Sequence, residues 1–380
     1  MNTAILLNTL VYGGAERVAS HILKYYSNNS KPIILILFKN SIKLDIPKNV
    51  KVFFLDETTI FNNHLFNFIK LPFLAYRLLK ILKIENINVC LSLTTRPNYV
   101  NILSSFYNKK IKHIISERSC PSQEYGGINL KSYINRFLIK FLYNKRINII
   151  SNSIGNKNDL IENFGINKSK IKVINNPLDL KFIENSKRKI NFFDKNFINF
   201  VSVGRLDSNK NFKMMIEVIS KLKNKSVRLY VIGTGQEYSQ LSDLIDECCL
   251  NEQVFLIGEK NNPFKYIKAA DAFLFTSKSE GFPNVLIESL ACGTPIISHN
   301  CKAGPDEILV GKIIENKNIV VNDFGILTPF NDKDKYLEAL SLFIENKSTW
   351  SSKNLKKYKM KVDKYGINKI VNQYSAFLKI

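Results

Sequence analysis

The sequence predicts an α/β protein built from two doubly wound parallel sheets in tandem. Short apolar runs of strand length alternate with longer stretches at helical spacing, the pattern of parallel strands covered by helices on both faces. The alternation breaks at a polar stretch near residues 181–197 and restarts at residue 199. The chain has 380 residues, 45% of them hydrophobic, enough for two cores without disulfides or a structural metal.

In the first half, residues 5–8, 33–38, 52–55, 89–93, 111–116 and 147–151 read as buried strands. Ile174-Asn175-Asn176-Pro177 is a turn signal that ends a strand. Lys187-Arg188-Lys189 and the polar residues 191–196 then mark a linker. In the second half, residues 199–203, 229–232, 254–256, 272–275 and 295–298 read as strands. A helix is expected from Asn284 through Leu286, Ile287, Leu290 and Ala291, and a last helix at about 364–379. The expected domains are 1–185 and 190–363, with the C-terminal helix, 364–380, packing back on the first.

Lys and Arg number 55 and Asp and Glu 32, a formal charge of +23. The first 190 residues hold 29 basic and 11 acidic residues, a net +18; the rest hold 26 and 21, a net +5. The excess therefore belongs to a folded surface and points to nucleic acid, anionic lipid or anionic substrate. The six cysteines form no CxxC and read as reduced, buried thiols of a cytoplasmic protein. The amino terminus reads as a first strand rather than a signal peptide. Residues 64–83 come nearest to a membrane span, but Asn67, Lys70, Arg77, Lys80 and Lys83 interrupt them.

Three motifs carry chemistry. Tyr12-Gly13-Gly14-Ala15-Glu16-Arg17 follows the first strand and opens a helix. Its glycines let backbone N–H groups approach a ligand, and a helix N-terminus favours an anion such as a diphosphate. The full GxGxxG fingerprint is absent, so a nicotinamide dinucleotide is not favoured. Gly204-Arg205-Leu206-Asp207-Ser208-Asn209-Lys210 follows the first strand of the second domain. Arg205 and Lys210 there could neutralise a departing diphosphate. The third motif, Glu280-Gly281-Phe282-Pro283-Asn284-Val285-Leu286-Ile287-Glu288, places two carboxylates eight residues apart, about two helical turns. Glu280 can sit at the loop while Glu288 reaches along the helix, and carboxylates accept hydrogen bonds from sugar hydroxyls. The N–H groups near Asn284 and Val285 would face an anion. Asp332-Lys333-Asp334 is a DxD, but a late one flanked by Lys, and reads as a surface turn.

Together these motifs resemble the retaining glycosyltransferases of family 4, whose hallmark E-x7-E is matched by Glu280 and Glu288. The resemblance covers the chain and includes Gly233-Thr234-Gly235. It implies the GT-B fold: two doubly wound Rossmann-like domains facing a central cleft that holds the active site. It implies a UDP-sugar donor, a hexose or N-acetylhexosamine transferred with retention, and no cofactor or metal. Arg205 and Lys210 would bind the diphosphate, Glu280 the transferred sugar and Glu288 the ribose. Gly13 and Gly14 would approach the phosphates, Gly204, Asn284, Val285 and Leu286 would contribute to donor binding, and Gly233 and Gly235 would leave room for the nucleotide.

Many members of that family have Glu-His where this chain has Glu117-Arg118. Arg stays protonated and cannot act as a base. A retaining reaction in which the leaving phosphate takes the acceptor proton needs no protein base. The resemblance puts Glu117, Arg118 and Arg96 on the acceptor side, with Arg118 as ligand of an acceptor phosphate. His113 reads as a packed core residue. The stretches Leu71-Pro72-Phe73-Leu74, Ser92-Leu93-Thr94-Thr95-Arg96-Pro97-Asn98-Tyr99 and Asn261-Asn262-Pro263-Phe264-Lys265-Tyr266 look like bacterial enzymes that add N-acetylgalactosamine to polyprenyl-diphosphate-linked glycans.

Residues 58–84 and 125–158 contain no acid. The first mixes Phe61, Phe66, Phe68 and Phe73 with Lys70, Arg77, Lys80 and Lys83; in the second, Leu130, Tyr133, Ile134, Phe137, Leu138 and Phe141 share a helical face flanked by Lys131, Arg136, Lys140, Lys145 and Arg146. Basic amphipathic helices of this type suit an anionic membrane surface, where each cation is worth about 1 kcal/mol. The expectation is a peripheral protein of the inner face of the plasma membrane, binding no nucleic acid. A nucleic-acid-binding protein and a UDP-sugar epimerase of the same fold are the rival readings.

Overall fold

The computed structural model describes residues 1–11, 13–56, 68–145, 147–186, 190–351 and 355–378. Tyr12, Phe61, Phe66, Arg146 and the linker residues Lys187, Arg188 and Lys189 lie outside them. The chain forms two units, Met1–Pro177 with Ile367–Ile380, and Leu178–Gly366.

The first unit is built on β1 (Thr3–Leu7), β2 (Ile33–Leu37), β3 (Lys51–Phe54), β4 (Val89–Leu93), β5 (Lys112–Glu117), β6 (Asn148–Ser151) and β7 (Ile171–Val173). They pair in parallel in the order β3-β2-β1-β4-β5-β6-β7. Every residue of β1, β2 and β4 is buried, as a sheet covered on both faces requires. One face packs on Leu74, Leu78, Tyr99, Ile139 and Leu160. The other packs on Val18, Ile22 and Tyr26 of the helix Gly14–Asn28 and on Ile370, Val371 and Tyr374 of the C-terminal helix Ile367–Leu378. Ser375 and Tyr26 bond through their hydroxyls at 3.2 Å.

The second unit is built on β8 (Ile198–Val203), β9 (Val227–Ile232), β10 (Val254–Leu256), β11 (Ala272–Phe275), β12 (Ile296–His299), β13 (Val320–Asn322) and β14 (Gly325–Thr328), in the order β10-β9-β8-β11-β12-β14-β13. Two differences from the sequence-based expectation stand out. The division falls at Pro177/Leu178 rather than between 185 and 190, because Leu178 and Ile183 bury their side chains in the second core. The second sheet also gains β14 and the antiparallel edge strand β13, a hairpin too short to give a periodic signal. Asp332 of the late DxD is an N-cap: its side chain accepts from Lys335 N at 2.9 Å and starts the helix Lys333–Glu345.

Candidate functional site

Among the parallel strands of each sheet the order reverses once, between β1 and β4 and between β8 and β11. Ligands of open α/β sheets bind beyond the carboxyl ends of the strands at such switch points. In the second unit the loops leaving β8 and β11 are the two that carry Arg205 and Lys210, and Glu280.

Backbone and side-chain bonds lace these loops together. Lys278 N donates to Asn209 O at 2.7 Å, Asn209 Nδ2 to Ser279 O at 2.8 Å, and Ser279 N to Asn209 Oδ1 at 3.1 Å. Thr276 Oγ1 donates to the carbonyls of Lys210 and Asn211, each at 3.1 Å. Lys210 Nζ therefore reaches Glu280 Oε1 at 2.5 Å, with both side chains partly buried. A half-buried ammonium–carboxylate pair can offer charge to a phosphate on one side and an acceptor to a hydroxyl on the other. Arg205 is 81% exposed and touches Asp207 Oδ2 at 3.2 Å, a pair that a stronger anion can displace.

The helix Asn284–Cys292 starts behind Pro283, which as N-cap has no side-chain acceptor, and stops at Gly293 with φ 77°. Leu286 N is already used by Pro283 O at 3.1 Å. The Leu286 side chain, fully buried with Ile287 and Leu290, anchors the helix instead. Glu288 is buried about one turn in.

Gly233 and Gly235 sit against backbone. A Cβ on Gly233, at φ 149°, would lie 1.8 Å from Gly204 O, and one on Gly235 2.3 Å from Leu206 O. The space they leave is filled by the backbone of the Arg205 loop; Gly233 and Gly235 set where that loop lies. Leu206 N donates to Thr234 O at 2.9 Å across the same contact. Gly204 in turn lies beneath the aliphatic part of Lys210.

Sequence reasoning missed Asp207, Asn209, Thr276 and His299. The first three are small polar residues in loops at strand ends, a weak signal that was present. His299 ends β12, fully buried, with Nε2 2.5 Å from Ser277 O and, among the described residues, no partner for Nδ1. Burial lowers its pKa to about 4, so the ring is neutral and Nε2–H donates to the loop leading to Glu280.

In the first unit Gly13, in extended backbone, caps the helix Gly14–Asn28. At the β1/β4 switch point Thr94 holds φ 74°, ψ 157°, a strained conformation for a β-branched residue. Arg96 follows it, stacked 4.9 Å from the Phe38 ring and paired with Asp56 at 3.4 Å. Glu117 ends β5, fully buried, accepting from Tyr143 OH at 2.7 Å and Arg118 N at 2.9 Å. Burial, the largest influence, raises its pKa to about 7. Arg118 bonds to Tyr374 OH at 2.9 Å, Ser116 Oγ at 3.3 Å and Asn176 Oδ1, and so ties the C-terminal helix to β5. His113 is buried against Asn101. Among the described residues no His, Cys, Asp and Glu side chains cluster to hold a metal ion.

Two family models cover nearly the whole chain: Glycosyltransferase Family 4 over residues 12–182 and Glycosyl transferases group 1 over residues 183–362. A Campylobacter jejuni protein named N-acetylgalactosamine-N,N'-diacetylbacillosaminyl-diphospho-undecaprenol 4-alpha-N-acetylgalactosaminyltransferase is 34% identical, over 90% of each chain. The amylovoran biosynthesis glycosyltransferase AmsD of Erwinia amylovora is 25% identical, over 78% of this chain and 80% of its own. Among solved structures, Anabaena HepE in complex with UDP matches the full length of both chains with a TM-score of 0.77 at 18% identity.

Proposed function

The chain belongs to the family 4, group 1 glycosyltransferases with the GT-B fold, and from that premise we propose that it moves an N-acetylhexosamine, N-acetylgalactosamine first, from a UDP-sugar onto a polyprenyl-diphosphate-linked glycan. The setting is the assembly of a surface polysaccharide or protein glycan at an anionic membrane surface. The epimerase and nucleic-acid readings find no support in these likenesses.

The observation that carries the donor assignment is the Lys210–Glu280 pair at the switch point of the second sheet. Lys210, with Arg205 swung from Asp207, neutralises the diphosphate, and Glu280 accepts from hydroxyls of the transferred sugar. Glu288 holds the ribose. The bond from the anomeric carbon to the UDP oxygen breaks and a bond to the acceptor oxygen forms on the same face. The acceptor proton passes to the leaving phosphate, so no protein base is required. Two protein cations do the work that a metal does elsewhere. Arg96 and Glu117 lie on the acceptor side; Glu117 shapes the loop that follows β5, and Arg118 braces it.

The lipid-linked acceptor is supported by the Campylobacter relative's name and by the +18 carried by residues 1–190. Among the described residues no helix is long and apolar enough to cross a membrane, and the proposal is peripheral binding. The test is a panel of UDP-sugars with undecaprenyl-diphosphate-linked acceptors, read by mass spectrometry. Transfer from UDP-N-acetylgalactosamine with an α-linked product is expected. Free epimerised UDP-sugar without transfer, or transfer from another donor alone, would overturn it.

A further inference from the structure

The helix Leu130–Leu142 exposes an apolar stripe besides the face that it buries. Its inward residues include Ser132 and Asn135, and Asn135 is held there by the hydroxyl of Tyr99, which donates to Oδ1 at 3.0 Å. Its outward stripe is Leu130, Tyr133, Phe137 and Phe141, all exposed, and Ile128 just before it is 99% exposed. Ile139 and Leu142 are buried in the core with Ser132 and Asn135, so the helix carries apolar side chains on both its faces, where one apolar stripe is usual. The rings are organised: Phe137 and Phe141 stack at 6.0 Å, Arg136 lies 4.9 Å from the Tyr133 ring and Lys145 3.9 Å from the Phe141 ring.

The stripe has a companion. The helix Leu71–Ile84 packs against the helix Thr95–Ser105 in the same layer, as does Leu130–Leu142. It exposes Phe73 and Tyr76, with Arg77 6.0 Å from the first ring and Lys80 5.8 Å from the second. One layer of the first unit thus presents exposed rings, with a cation beside Phe73, Tyr76, Tyr133 and Phe141. A second copy of this chain would bring two surfaces of the same strong positive charge together, which costs free energy. An anionic lipid surface complements both features, since aromatic rings settle at the headgroup level and cations at the phosphates.

We propose that Leu130–Leu142 is the element that enters the anionic lipid surface, with Tyr133, Phe137 and Phe141 inserted and Lys131, Lys140 and Lys145 at the phosphates. This rests on the lipid-linked acceptor and adds the element that touches lipid. The test uses the full chain with vesicles of equal parts phosphatidylglycerol and phosphatidylethanolamine. The wild-type chain has a single tryptophan, Trp350 in the second unit. A Phe137→Trp variant should show emission that shifts to the blue and is quenched by brominated acyl chains, while Trp350 alone is not. A protein that floats with vesicles while the Trp at 137 stays unquenched overturns the assignment. A Tyr133→Ser, Phe137→Ser, Phe141→Ser variant should keep the wild-type melting temperature, because the rings it loses are exposed. It should lose vesicle affinity by about a hundredfold or more, yet keep its turnover on a water-soluble, short-chain acceptor. Wild-type vesicle affinity in that variant overturns the proposal; so does loss of self-association in sedimentation with no loss of vesicle binding, which would make the patch a contact between copies. If Phe137→Trp is quenched but no sugar reaches a lipid-linked acceptor, the surface stands and the acceptor assignment falls.

Discussion

Lys210 and Glu280 stand 70 positions apart in the chain, yet Lys210 Nζ lies 2.5 Å from Glu280 Oε1. Two loops from adjacent strands bring them together, and a ligand between charged groups of this kind meets both at once. Glu280→Ala should lower turnover at least about a hundredfold while the melting temperature holds. A Lys210→Ala, Glu280→Ala double variant should lose less than the sum of the single losses, with a coupling of about 1–3 kcal/mol. Additive losses in steady-state transfer assays would show that the two act apart.

Arg205 is exposed and makes one surface pair with Asp207. Its removal should leave stability within about 1 kcal/mol of wild type. UDP binding by calorimetry should weaken by roughly tenfold to a hundredfold, as expected for a lost charge-assisted hydrogen bond. Unchanged affinity would reject its role. EDTA should leave transfer untouched if the two cations alone neutralise the diphosphate.

Gly233→Ala places a methyl group where Gly204 O already lies. The expected cost is about 1–3 kcal/mol of overpacking, seen as a lowered melting temperature. UDP affinity should fall as well, because the displaced backbone carries Arg205. Gly165→Ala, at φ 65° with open space around it, is the control: strained locally, but without effect on UDP.

Glu117 titrates at about 7 in the fold, against an ordinary 4.5, because it is buried. A raised pKa means stability that is complete below the unfolded value and lost as pH rises through the folded one. Wild type should therefore lose on the order of 3 kcal/mol relative to Glu117→Gln between about pH 4.5 and 7. His113 and His299, both lowered to about 4 by burial, act oppositely as pH falls. Their contribution cancels in the comparison of the two proteins by chemical denaturation at each pH. Parallel stability curves would show that Glu117 is ionised in the fold.

Much was legible in the chain itself. Strands of four to six apolar residues, alternating with helices, are local facts, and so were the helix after Pro283 and the pairing of Glu280 with Glu288 eight residues on. The two doubly wound sheets, the E-x7-E motif and the charge asymmetry needed no coordinates. The tertiary structure alone decided the rest. Lys210 meets Glu280 because β8 and β11 are neighbours, and strand order is not written in any local window. Gly233 and Gly235 position a loop, which is visible once Gly204 and Leu206 are seen beside them. The aromatic stripe from Leu130 to Phe141 was plain as a periodicity, but a period has no sign. Whether that face meets the core or the solvent depends on what lies beneath, and here Tyr99 draws Asn135 inward and leaves the rings outside.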